Sequence, residues 1–100
     1  MQLRELIENA SRETLVEFLL SVIHGFTIMA RDCDRDQDAK DTINNRIHYL
    51  AGHALSLARG EELESWQLDD IVEQSNSLAP SLRKHPTAIL KKLDPGSRPG

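Results

Sequence analysis

The side chains in this sequence with chemistry beyond packing are four histidines, one cysteine and a few cations, and their spacing limits what that chemistry can be. The histidines stand at positions 24, 48, 53 and 85. No two of them are three or four residues apart, so no helical turn offers a two-histidine metal clamp. A mixed site such as His24 with His48, drawn from neighbouring helices, is the remaining metal geometry. A hydrogen-bonded structural histidine is the simpler reading, and neither a metal nor a cofactor is expected. Cys33 is the only cysteine, which rules out an intramolecular disulfide and a cysteine-based zinc site and fits a reducing compartment. It falls on an apolar stripe, as a packing residue does.

The acidic run 32–41, DCDRDQDAKD, has the alternating carboxylates of a calcium loop. Counted from Asp32, however, the sixth position is Gln37 instead of glycine and the twelfth is Ile43 instead of glutamate. It reads as a solvated connector in which Asp38 or Asp41 caps the next helix. Gly-rich phosphate loops, Gly-x-Ser-x-Gly and His-Glu-x-x-His are absent from the sequence.

Arg46 and His53 fall on the same flank of a predicted helix, two turns apart. Arg-x6-His resembles the Arg-x(4–6)-His motif of the HEPN family of helical ribonucleases. That resemblance implies a composite site at a dimer interface, with Arg46 contacting phosphate and His53 as general acid or base. The family usually has a polar residue directly after the arginine, where this chain has Ile47.

These residues need helices to position them. Ile43, Ile47, Leu50, Ala54 and Leu57 recur at spacings of four, three, four and three, giving one apolar stripe over a predicted helix 42–58, widened by Ala51 and Ala58. Arg46, Tyr49 and His53 line one edge; Asn44 and His48 line the other. Arg59-Gly60 ends this helix. Before it, Leu15, Leu19, Val22, Phe26, Met29 and Cys33 mark a helix over 12–33, capped by Ser11. Leu20 and Ile28 lie on its back, so this helix is either packed on two sides or open to another subunit. Leu3, Leu6 and Ile7 give a short helix near the start. A third main helix, 65–79, has Ser65 as its cap and Trp66 off its apolar stripe. Pro80 stops it, and Pro86 opens a short last helix, 86–93.

Length and composition suit one small all-α domain: 100 residues, 39% hydrophobic and only 4% aromatic, so the core is aliphatic. The expected fold is a small antiparallel helical bundle of three main helices with short terminal helices, spanning residues 1–93, and residues 94–100 form a flexible tail. Residues 1–80 carry 7 basic and 15 acidic side chains; residues 81–100 carry 5 basic and one acidic. An acidic body makes broad nucleic-acid binding unlike it. No signal-peptide pattern opens the chain, and Glu17, Ser21, His24 and Thr27 interrupt the longest apolar stretch, so a cytoplasmic protein with no membrane segment is expected. The expected function is a non-enzymatic protein–protein interaction or regulatory module. Its partner is another protein or a second copy in a homodimer, and its surface is Arg46, Tyr49, His53 and Trp66. A second group, His24, Arg31, Asn44 and His48, is expected to form a polar network between the two long helices. Two alternatives stand beside it: HEPN-like RNA cleavage at Arg46 and His53, or an acidic inhibitor or immunity-type protein for a basic partner.

Overall fold

A computed structural model describes residues 2–33 and 35–92, which form five helices and, among the described residues, no strand: α1 Leu3–Asn9, α2 Arg12–Asp32, α3 Gln37–Ala58, α4 Ser65–Ser77 and α5 Pro80–Lys92. The all-α class follows from the apolar periodicity. The proposed tail 94–100 lies outside the described residues.

Local chemistry accounts for the helix boundaries. The Ser11 hydroxyl caps α2 by accepting from the Thr14 amide at 3.2 Å. α3 starts five residues earlier than its apolar stripe predicts. Its cap is Asp36, which accepts from the Ala39 amide at 3.1 Å, and neither Asp38 nor Asp41. Asp38 then sits in the first turn, where the helix dipole favours an acid. Gln37 bridges to Asp41 one turn on, at 2.8 Å. The acidic run is therefore mostly helix, which shortens the connector to a few residues. At the other end, Gly60 adopts φ 87 and the amides of Gly60 and Glu61 return to the carbonyls of Leu57 and Ser56, a Schellman closure.

Glu64, and not Ser65, caps α4, in a reciprocal pair with Gln67. Pro80 starts α5 as well as following α4, because proline suits the first helical position. α5 is consequently 13 residues long, equal to α4, instead of a short terminal element. Pro86 lies inside it. Arg83, from the first turn of α5, donates from Nε to the Leu78 carbonyl at 2.7 Å and from Nη2 to the Asn76 carbonyl. It thereby satisfies the exposed carbonyls at the end of α4.

The core gathers Ile7, Phe18, Leu19, Val22, Phe26, Leu50, Ile71 and Leu78, all almost fully buried, with Leu15, Ile43, Leu57, Ile89 and Leu90. α2 contributes more of it than any other helix and packs against both α3 and α5, while α4 meets α1 and α3. Leu78 rests directly on α2 at Gly25, where a β-carbon would stand 2.7 Å from Leu78 Cδ1. The shortest dimension of the molecule is 18 Å, less than two helix diameters of about 10–12 Å each. No helix is covered all round, and Leu20 on the back of α2 stays exposed. By length and composition α2 is apolar enough to cross a membrane. The core helix of a water-soluble domain passes the same test, and here the Leu15, Phe18, Leu19, Val22 and Phe26 side chains are buried within the fold.

Candidate functional site

The polar groups of α3 and α4 meet in one hydrogen-bonded chain. Arg46 and His53 are seven residues apart on α3. Gln67, Asp70 and Gln74 recur at three and four on α4, beside the apolar stripe of Leu68, Ile71 and Ser75. His53 Nε2 lies 2.7 Å from Asp70 Oδ2, and Gln67 Nε2 lies 3.3 Å from His53 Nδ1. Gln74 Nε2 donates to Asp70 Oδ1 at 3.1 Å, and Arg46 Nη1 donates to Gln74 Oε1 at 2.6 Å. At the far end, Gln67 Oε1 accepts from the Glu64 amide at 2.8 Å.

These contacts determine one another. Gln67 accepts from a backbone amide, so its amide nitrogen donates to His53 Nδ1. The imidazole then carries its proton on Nε2 and donates it to Asp70. Gln74 accepts from Arg46 and so also donates to Asp70. The carboxylate is the common acceptor of both branches. With His53 only 3% exposed, each donor in the chain needs the acceptor it has. Both imidazole nitrogens are engaged, and among the described residues no serine, cysteine or threonine is hydrogen-bonded to the ring. The arrangement can hold α4 in register on α3.

His53 is therefore not on the surface, a correction to the expected binding face. Arg46 is half-buried and tied to Gln74. Tyr49 and Trp66 do lie outside, 54% and 57% exposed. Trp66 covers His53 edge-on, with ring centres 5.7 Å apart and planes at 70°. Tyr49 meets the His48 ring in the same edge-on manner at 5.6 Å. Together with Gly52 and Leu55, these two aromatics border an open groove beside His53. Leu55 is 50% exposed and was not legible as a site residue, although a leucine opposite the apolar stripe is a signal for one.

The expected network of His24, Arg31, Asn44 and His48 is replaced by the α3–α4 chain. All four side chains are exposed, and His24 contributes only its backbone carbonyl, which accepts from the Thr27 hydroxyl at 2.6 Å. The long helices meet through apolar side chains, and these four side chains point to water. His85 is also exposed. Among the described residues no group of three His, Cys, Asp or Glu side chains is placed to hold a metal ion.

The chain matches no protein-family model, and no curated protein or solved structure matches it significantly. Its function has to be argued from its own geometry.

Proposed function

We propose that this chain is a small cytoplasmic docking module that binds another protein through the face formed by Tyr49, Gly52, Leu55 and Trp66, on an antiparallel α2–α3 framework. One observation carries the reading. Four large apolar side chains are exposed among the described residues, and three of them, Tyr49, Leu55 and Trp66, border a single groove. Scattered exposed leucines need no explanation, but a contiguous apolar patch with two aromatics has the composition of an interface centre. The groove is also firmly supported from below. Trp66 rests on His53, which is fixed by Gln67 and Asp70. A rigid platform loses little conformational entropy on binding.

The test is a photo-crosslinking amino acid placed at position 55 of the full chain in its native cells, with the same group at Lys84 on the exposed side of α5 as a control. A discrete adduct from position 55, absent from the control and lost with Trp66→Ala, is expected. Equal adducts from both positions, or none from position 55, would remove the reading.

A further inference from the structure

We infer that the occupant of this face is a second copy of the chain, packed through α3 in antiparallel sense about Gly52; the inference rests on the docking reading above. Gly52 sits in the interior of a 22-residue helix, where glycine costs about 1 kcal/mol relative to alanine. Nothing lies within 4 Å of where its β-carbon would be. Within the monomer, then, no neighbour requires a glycine there, in contrast to Gly25, whose missing side chain is filled by Leu78. A bare backbone at the centre of an exposed helix face lets a second helix approach closely.

The surrounding residues define that face. Asp41, Asn45, His48, Gly52, Leu55 and Arg59 recur at alternating spacings of four and three, and all are exposed. They line one exposed side of the helix along its length, polar apart from Leu55. Charge decides the direction. Acids stand at the start of the stripe, at Asp38 and Asp41, and Arg59 stands at its end. Parallel copies would oppose like with like. Antiparallel copies crossing at Gly52 set Arg59 against Asn45 of the partner subunit, one turn from the partner's Asp41, and do so twice per dimer. The helix dipoles also oppose. A two-fold axis makes the face self-complementary: Leu55 meets the partner's His48, and each Tyr49–Trp66 edge closes on its copy.

Sedimentation velocity of the full chain, from micromolar to near-millimolar concentration, tests this. A reversible shift towards twice the 11.3 kDa monomer mass is expected. Gly52→Glu places a charge on the axis where the monomer has open space, and it should raise the dimer dissociation constant by about tenfold or more. Asp41→Arg and Arg59→Asp should each weaken the dimer, and the double variant should recover it. Circular dichroism of each variant at low concentration verifies that the monomer is folded. A dimer indifferent to Gly52→Glu, or a chain monomeric throughout, overturns the inference. If the chain is monomeric while position 55 still crosslinks a different protein, self-association falls and the docking reading stands. If both experiments are negative, both fall.

Discussion

Asp70 is the residue on which the α3–α4 junction turns. Its two oxygens accept from different donors, His53 and Gln74. An asparagine has one acceptor oxygen and would turn an NH2 towards one of those donors. A switch of the imidazole tautomer does not relieve this, because Nδ1–H would then face the donating amide of Gln67. Asp70→Asn is therefore expected to destabilise the fold by about 1–3 kcal/mol, the usual cost of a buried donor left without its acceptor, measured by urea denaturation. Ser75 supplies the opposite case on the same helix. Its hydroxyl is buried with no hydrogen-bond partner among the described residues. It borders a cavity of about 40 Å³ lined in part by Phe18, Val22, Leu78 and Pro86. Ser75→Ala removes an unpaired polar atom from a buried position and should stabilise the protein by about 1 kcal/mol; a lowered denaturation midpoint would contradict this.

At the scale of elements, the two helix-interior glycines separate packing from exposure. Gly25 is where α2 accepts Leu78 from the end of α4. Gly25→Val would force Leu78, 1% exposed, out of its place, and should cost about 1–3 kcal/mol. Gly52→Ala meets open space and gains helix propensity, so thermal unfolding at concentrations where the chain is monomeric should show a stabilisation of about 0.5–1 kcal/mol. The opposite signs follow from one fact, the presence or absence of a neighbour at the β-carbon position. Helix ends carry similar information. Arg83 crosses from α5 to the last carbonyls of α4, and Arg12 Nη2 reaches from α2 to the Gly60 carbonyl at 3.2 Å. Arg4 on α1 joins Asp69 and Ser65 of α4. Three cations thus bind one element to the next.

For the whole molecule, thinness is the governing property. A slab 18 Å deep buries one face of each helix and leaves the other in water, so α3 has an outward face whatever its sequence. Most of that face is polar. Its centre, from Tyr49 to Leu55 with Trp66 alongside, is the place where apolar surface remains. Closing two such slabs across α3 would cover that centre and bring acidic and basic ends of the helix together. The contact area is that of one helix face and its neighbouring tryptophan. This is modest beside the roughly 800 Å² per partner of a standard interface, so the dimer is expected to be reversible and concentration-dependent instead of obligate.

The apolar period decided by itself that this chain is helical and which residues form its core. Leu15, Leu19, Val22, Phe26, Ile43, Leu50, Ala54 and Leu57 sit where a turn of about 100° per residue puts them. Capping at Ser11 and closure at Gly60 were equally local, because the groups involved are within a few residues of one another. The start of α3 was not, since a polar first turn carries no apolar period. α5 likewise was shortened by its prolines, because Pro80 read as a stop and Pro86 as a start, whereas Pro80 opens the helix and Pro86 lies inside it. The site was split in the same way. Tyr49 and Trp66 lay off the apolar stripes in the sequence, and both are exposed in the structure. The fate of Arg46 and His53 was not, because periodicity says which flank of a helix a residue occupies and not which helix will lie against that flank. Packing α4 on that flank buried His53 against Asp70 and moved the polar network there from the edge with α2. The same packing left Tyr49, Gly52, Leu55 and Trp66 exposed.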